Sequence, residues 1–246
     1  MFKEVDFNKR FVMGTPLVPW KIEQNEHAAW LTNAQIIKET FPNVQFFAAL
    51  ELDHRGLEPY KDFINQLKEV DARYWTYTIN DFEETVDSNN RWIRIETGRN
   101  LVREFAQRGK IVESDGKSEL IHYEAILYVD SDIIMRVEAI QAMFEVDHAM
   151  VGIDVPAYGL SGFVMHTNPR IEEHWTTAGA LLVNAPACWD LPWYHNIHIG
   201  LSDDPTFQYL GARLYGQTWV RKDFHVEHIG KLVGVEHRNI PKRVIE

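Results

Sequence analysis

Residues 123–135 read YEAILYVDSDIIM, and this stretch decides the fold. Its centre, Ile126–Val129, is a short apolar run of residues with high strand propensity, which predicts a buried strand. The run stops at Asp130-Ser131-Asp132, after which apolar residues recur at helical spacing from Val137 to Phe144. The stretch therefore predicts a strand, a loop and a helix in succession.

Two carboxylates, Asp130 and Asp132, lie two residues apart where the predicted strand ends. In an open α/β sheet, ligands bind in the crevice beyond the carboxyl ends of the strands. Mg²⁺ and Mn²⁺ take one or two carboxylates and complete their shell with waters and phosphate oxygens, so the pair suits a cation that carries a diphosphate. Asp and Ser are also common helix caps, so the Asp-x-Asp pattern alone leaves a purely structural role open.

The segments around this stretch alternate between the two periodic patterns of apolar residues. Strands are predicted for runs of apolar or strand-prone residues at 44–52, 74–79, 126–129 and 149–153. Residues 11–19 are expected to form a first strand that runs into a loop. Helices are predicted where apolar residues recur every three or four positions, at residues 30–41, 60–70 and 137–144. This alternation predicts an α/β fold with a mostly parallel central sheet and helices on both faces.

Capping residues and glycines mark the expected ends of further elements. Thr97 is expected to cap a helix that Gly109 ends, after an irregular segment at residues 81–96. Gly179 precedes a buried strand, and a late helix is expected to open near Ser202. The late helix should turn three apolar residues inward and end at Gly216; these residues are Phe207, Leu210 and Leu214. Short strands are expected at residues 217–220 and 224–229.

Composition limits the possible classes of protein. The chain has 246 residues, of which 45% are hydrophobic, and no linker or repeat divides it, so one domain is expected. A net charge of −11 argues against a broad nucleic-acid surface, although basic residues cluster at 91–110 and 220–243 and suit a small polyanion. A single cysteine, the lack of a signal peptide and the lack of a membrane span predict a soluble, cytoplasmic protein.

Five fragments, in this order, resemble segments of the nucleotide-diphospho-sugar transferases of the GT-A type. They are Gly98-Arg99-Asn100 opening a helix, Ile126–Asp132, Ala178–Asn184, Asp203-Asp204 and His228–Lys231. The resemblance implies a single GT-A domain over residues 1–246. Residues 1–135 would form its nucleotide-sugar-binding half, and residues 136–246 the half that contributes the acceptor site and closes the metal site.

The resemblance also implies a set of metal ligands. Asp132 would ligate Mn²⁺ or Mg²⁺ directly, and Asp130 would reach the metal or the donor ribose. His228 would be the third ligand and would favour Mn²⁺, since imidazole is a softer ligand than carboxylate. His225 is the rival, and both histidines are not expected to serve, because residues three apart on a strand face opposite sides.

Contacts with the donor and the acceptor follow from the same resemblance. Arg99 and Lys231 would place positive charge near the diphosphate. The other donor contacts would come from Thr15, Pro16, Asp53, Asn100 and Gly179. Asp203 and Asp204 are the catalytic candidates at the start of the late helix. Asp204 would hold the acceptor or the transferred sugar, while general-base catalysis and simple helix capping are the alternatives.

The function that the resemblance implies is a metal-dependent glycosyltransferase, which moves a sugar from a UDP- or GDP-sugar to an acceptor hydroxyl. The acceptor would be a glycan, a small molecule or a modified polymer. One alternative is a Mg²⁺-dependent phosphohydrolase or phosphotransferase with Asp130 as nucleophile and Asp132 as its acid partner. Another is a non-catalytic protein that binds a nucleotide sugar. The non-catalytic protein would not turn over its ligand, so an assay of donor hydrolysis separates it from the glycosyltransferase.

Overall fold

The structure is a computed structural model that describes residues 2–79, 88–114, 117–154, 179–185, 187–193, 203–216 and 218–228. Its strands are β1 Phe11–Leu17, β2 Val44–Glu51, β3 Arg73–Tyr77, β4 Lys110–Ser114, β5 Lys117–Ile121, β6 Ala125–Val129, β7 Ile133–Ile134, β8 Met150–Asp154, β9 Ala180–Asn184, β10 Trp219–His225 and β11 Glu227–His228. Its helices are α1 Pro19–Glu23, α2 Ala28–Thr40, α3 Lys61–Glu69, α4 Ser88–Arg108, α5 Val137–Phe144, α6 Ala187–Asp190 and α7 Asp203–Tyr215. A 3₁₀ turn, Glu58–Tyr60, precedes α3.

Seven strands form one mixed sheet in the order β10-β8-β9-β6-β1-β2-β3. Strand β6 is the middle strand, and it pairs in parallel with β1 and antiparallel with β9. The pairs β1–β2, β2–β3 and β8–β10 are also parallel, so the sheet is mostly parallel, as predicted. Because β6 is buried along its whole length, its apolar run is covered on both faces.

Helices cover both faces of this sheet, as the alternating pattern predicts. One core contains side chains of α2, α3 and α5, including the fully buried Trp30 and Ile140. The other core contains side chains of α4, α6 and α7, including Val102 and Phe207. The apolar residues of each helix recur at helical spacing because only one side of the helix faces the sheet.

Three predictions about local structure are wrong. Thr97 does not cap a helix, because α4 already begins at Ser88, and the Thr97 hydroxyl donates to the Ile93 carbonyl one turn earlier. Gly98-Arg99-Asn100 therefore lies inside α4 instead of opening it. Leu214 does not face inward but is 65% exposed. A two-stranded hairpin of β4 and β5 between α4 and β6 was not predicted.

Several predicted ends are confirmed. Gly109 and Gly216 follow α4 and α7 with φ angles of 69° and 89°, in the left-handed region that favours glycine at a helix end.

The late part of the chain differs from the prediction of two short strands. It forms one longer strand, β10, which is followed by the two-residue strand β11. Among the described residues, no helix is both long enough and apolar enough to cross a lipid bilayer.

Candidate active site

The Asp-Ser-Asp segment forms a tight loop at the carboxyl end of the central strand. The Asp130 amide donates to the Gly179 carbonyl at 2.9 Å, just before β9, and the Ile133 amide donates to the Asp130 carbonyl at 3.1 Å. Ser131 and Asp132 are buried, whereas about a third of the Asp130 side chain is exposed. The loop thus presents Asp130 to solvent at the sheet edge where an α/β fold binds ligands.

Arg99 supplies a positive charge at this loop from the middle of α4. Its Nη2 lies 3.3 Å from Oδ1 of Asp130, and its side chain is only 3% exposed. The guanidinium carbon also lies 4.6 Å from the centre of the Trp193 ring, a cation–π distance. The guanidinium is therefore held in place by a carboxylate and by an aromatic face.

Asn100 fixes the aromatic residue on which Arg99 rests. Its side-chain amide donates to the Trp193 carbonyl at 2.8 Å, and its side-chain oxygen accepts from the Trp193 amide at 2.9 Å. The Trp193 ring stacks on Phe207 of α7, with centroids 3.9 Å apart and planes 4° apart. Asn100 therefore fixes the position of Trp193, and its predicted contact with the donor stays a prediction.

Asp132 is paired with a second cation, which the sequence did not single out. Nζ of Lys21, on α1, lies 2.9 Å from Oδ2 of Asp132. Both side chains are largely buried, at 18% and 9% exposure. The same Nζ lies 3.9 Å from Oε2 of Glu26, which is 8% exposed. Two carboxylates of one loop therefore contact two different cations, Arg99 and Lys21.

A buried asparagine on α2 holds the outgoing end of the loop. Asn33 donates to the Ile133 carbonyl at 2.6 Å and accepts from the Met135 amide at 2.9 Å. The Trp30 amide, one turn earlier on α2, donates to the Ser131 carbonyl at 3.3 Å. Asn33 is fully buried, so these bonds replace hydrogen bonds to water that the loop backbone cannot make.

Two glycines allow α4 to lie close to β1, and this closeness is what brings Arg99 to the loop. A Cβ atom on Gly14 would lie 2.2 Å from Cγ1 of Val102 in α4. A Cβ atom on Gly98 would lie 2.5 Å from Cβ of Pro16 and 3.1 Å from the Tyr77 hydroxyl oxygen. Pro16 belongs to the strand and cannot rotate away, so any side chain at Gly98 would push the helix outward.

Replacing Gly98 by Ala is expected to lower the free energy of unfolding by about 1–2 kcal/mol, because overpacking against Pro16 outweighs the better helix propensity of Ala. Chemical denaturation measures this change. Gly211 is the matched control, since its added Cβ would meet the flexible end of Met150 at 2.4 Å, which gives way readily. Equal losses in both variants would contradict the role of the rigid contact with Pro16.

The residues predicted for the nucleoside pocket lie at the same edge of the sheet. Thr15 is fully buried in β1, and Gly14 pairs with Tyr128, which brings Pro16 level with Asp130. The Asp53 carboxylate is bound by Arg55, whose Nη2 lies 2.6 Å away, and the hydrogen bond from Arg55 lowers the pKa of Asp53 below its ordinary value. Arg55 also contacts Glu23 of α1, so it ties α1 to the end of β2.

A half-buried ion pair lies at the end of β2 and was not found from the sequence. Glu51, the last residue of β2, lies 3.3 Å from Nη1 of Arg94 in α4. The Tyr77 hydroxyl donates to the Arg94 carbonyl at 3.0 Å, and burial raises the pKa of Tyr77 far above its ordinary value. Tyr77 therefore stays a protonated donor and helps to position this turn of α4.

The last predicted site residues come from the carboxyl-terminal third. Strand β11 pairs antiparallel with β7, and His228 is the pairing partner of Ile133, the residue after Asp132. Asp203 and Asp204 begin α7, as predicted, one turn before Phe207. His225 pairs instead with Asp154 in the main sheet. Lys231 lies outside the described residues.

Comparisons with known proteins agree with this architecture. The sequence matches no protein-family model and no curated protein sequence. A mannosyltransferase from Pyrobaculum calidifontis, PcManGT, solved with GDP-Man and Mn²⁺, superposes with a TM-score of 0.53 at 9% identity over 94% of this chain. The chain has the GT-A fold.

This GT-A chain is shorter than that structure, of which it covers 61%. Two further solved structures resemble this chain less well, with TM-scores below 0.5. An active-site mutant of LgtC has a TM-score of 0.46 at 13% identity, over 85% of this chain and 72% of that one. Core-mannan synthase A from Aspergillus fumigatus, in an Mn/GDP form, has a TM-score of 0.45 at 8% identity, over 92% of this chain and 78% of that one.

The Asp130-Ser131-Asp132 loop offers carboxylate oxygens to a divalent cation. Among the side chains that the structure describes, no three of the types His, Cys, Asp and Glu come together as a metal site. Asp130 and Asp132 nevertheless supply the one or two carboxylates that Mg²⁺ or Mn²⁺ takes when a substrate diphosphate provides further oxygens. The backbone of His228 pairs with Ile133, the residue directly after Asp132. The donor set fits a cation that binds together with its substrate.

Proposed function

We propose that this protein is a metal-dependent glycosyltransferase, which moves a sugar from a nucleoside-diphosphate donor to an acceptor hydroxyl. The observation that carries the proposal is the loop after the central strand of a GT-A fold, where Asp130 and Asp132 lie with Arg99 and Lys21. Carboxylates for a cation and fixed positive charges for phosphates are the groups that a diphosphate leaving group needs.

The roles of the individual residues in this proposal are those that the resemblance to the GT-A transferases implies. Asp132 is the direct metal ligand, His228 closes the metal site, and the more exposed Asp130 reaches the donor ribose or the metal. A bound Mn²⁺ or Mg²⁺ would act as a Lewis acid toward the diphosphate as negative charge grows on it. The donor is a GDP- or UDP-sugar, and GDP-mannose is the first to test because PcManGT was solved with it.

Arg99 stabilises the departing nucleoside diphosphate in this proposal. Breaking the bond between the sugar and the diphosphate leaves an additional negative charge on the phosphate oxygen. Arg99 is buried and already oriented by Asp130 and Trp193, so little reorganisation is needed when that charge appears. Lys231 remains a further candidate for the same task.

The two halves of the chain have different roles in the proposal. Residues 1–135 bind the donor, with Thr15 and Pro16 beside the nucleoside, and Gly179 lines the donor site by its contact with Asp130. Residues 136–246 bind the acceptor and complete the metal site. Asp204, supported by Asp203 at the start of α7, holds the acceptor or the transferred sugar. A cytoplasmic location stays a prediction that the single cysteine favours.

A screen of the unmodified protein tests this function. Melting temperature is measured with GDP- and UDP-sugars, each with and without Mn²⁺, and products of slow donor hydrolysis are identified by mass spectrometry. We expect stabilisation that needs both donor and Mn²⁺, with release of free sugar and nucleoside diphosphate. Release of inorganic phosphate would favour a phosphohydrolase with Asp130 as nucleophile, and binding without any turnover would favour a non-catalytic binding protein.

A further inference from the structure

Lys21 occupies the carboxylate that the proposed function assigns to the metal. Its Nζ lies 2.9 Å from Oδ2 of Asp132 and 3.9 Å from Oε2 of Glu26. We infer that Lys21 is a resident counter-cation, which neutralises Asp132 in the metal-free protein and passes to Glu26 when a divalent cation binds. This inference rests on the proposed function, since it requires that Asp132 is a metal ligand.

The turn after α1 holds the two partners of this exchange in place. The Glu26 amide donates to the Lys21 carbonyl at 2.9 Å, which closes the turn. Asn25, between them, has a φ angle of 58°, in the left-handed region that Asn adopts more readily than most residues. This backbone geometry brings the Glu26 carboxylate back toward the Lys21 side chain. Both residues belong to a different segment of the chain from the loop that carries Asp132.

Electrostatic repulsion favours a shift of Lys21 away from Asp132 when a divalent cation binds there. An ammonium group has no lone pair and cannot share in the coordination of a metal. A divalent cation in contact with Asp132 would lie within a few ångströms of Nζ, in a region where burial leaves little water to screen the repulsion. Each cation therefore weakens the binding of the other to Asp132.

Glu26 offers the displaced ammonium a second carboxylate at small cost. Nζ is 3.9 Å from Glu26 and 2.9 Å from Asp132, so a shift of about 1 Å (3.9 minus 2.9) gives it the same contact with Glu26. The flexible lysine stem accommodates such a shift by rotation about its bonds. The positive charge thus stays paired in both states, and it remains near the place where a diphosphate would bind.

The exchange is tested by the affinity for Mn²⁺ alone, measured by the electron paramagnetic resonance signal of free Mn²⁺. Replacing Lys21 by Met removes the competing charge and keeps most of the apolar stem, so Mn²⁺ is expected to bind about tenfold more tightly. Replacing Glu26 by Gln removes the second carboxylate, so Mn²⁺ is expected to bind several-fold more weakly. In the variant that carries both Lys21→Met and Glu26→Gln, the effect of Glu26→Gln on Mn²⁺ affinity should be much smaller. The reason is that this variant has no lysine ammonium for the Glu26 carboxylate to accept.

Lys3→Met is the matched control, since Lys3 forms an exposed ion pair with Asp147 at 3.0 Å, far along the chain from the loop. Its Mn²⁺ affinity should equal that of the unmodified protein. Mn²⁺ binding that is unchanged or weaker in Lys21→Met would overturn the inference and leave the proposed function standing. Binding that appears only in Lys21→Met would support the inference. Absence of Mn²⁺ binding from every variant would overturn both.

Discussion

Replacing Asp132 by Asn is expected to weaken the Mn²⁺-dependent binding of a nucleoside diphosphate by about 100-fold or more, because a neutral amide loses the charge that attracts the cation. Titration calorimetry with GDP and with UDP, each with Mn²⁺, measures the change. The amide has the same shape as the carboxylate, and Glu26 lies 3.9 Å from the Lys21 ammonium that loses its partner. We therefore expect the free energy of unfolding to fall by less than about 3 kcal/mol, the lower end of the cost of breaking a buried ion pair.

The two histidines provide a matched pair for the same measurement. His228 pairs with Ile133, next to Asp132, whereas His225 pairs with Asp154 in the main sheet. His228→Ala should weaken Mn²⁺ binding far more than His225→Ala. The reverse order would identify His225 as the ligand. An unchanged nucleoside-diphosphate affinity in Asp132→Asn would refute the metal site itself.

The strand and loop at the centre of the fold are encoded locally, which is why the sequence predicts them well. A continuous apolar run that ends in Asp130 has few alternatives other than a buried strand, and β6 is indeed the middle strand. Gly109 and Gly216 likewise mark helix ends through their own backbone preference. Such features need no knowledge of distant residues.

The start of α4 shows where local reasoning fails. Thr97 is a good capping residue, yet the helix continues through it, because packing of α4 against β1 and β2 overrides the propensity of one residue. As a consequence, Arg99 projects from the middle of a packed helix and not from its first turn. Its buried position depends on contact with Trp193, which lies nearly a hundred positions away in the sequence.

The residues that reasoning from the sequence missed are linked to the loop over long separations. Lys21 is 111 residues from Asp132, and no local pattern distinguishes it from other lysines. Asn33 carries a faint signal, because it is a polar residue within a helix whose neighbours Trp30, Ala34 and Ile37 are all buried. A polar residue among buried ones indicates a specific partner, but only the structure identifies the partner.

Replacing Asn33 by Ala is expected to lower the free energy of unfolding by about 3 kcal/mol, one of the largest losses available outside the apolar core. The substitution leaves the Ile133 carbonyl and the Met135 amide without their partner in a buried place, and each such group costs about 1–3 kcal/mol. Urea denaturation followed by circular dichroism measures the loss. Asn43→Ala is the control, because Asn43 donates to the Asn8 carbonyl at an exposed site, where water replaces the lost bond.

Asn33→Ala should also weaken Mn²⁺ binding, since the loop that carries Asp132 loses its attachment to α2 just after the ligand. The expected pattern then differs from that for Asp132→Asn, which loses more ligand binding with a smaller loss of stability. Asn33→Ala combines a large loss of stability with a moderate loss of affinity, about 10-fold. A variant that unfolds more easily yet binds Mn²⁺ normally when folded would mean that the loop holds its shape without Asn33. In that case the hydrogen bonds from Trp30 to Ser131 and from Ile133 to Asp130 would suffice to orient Asp132.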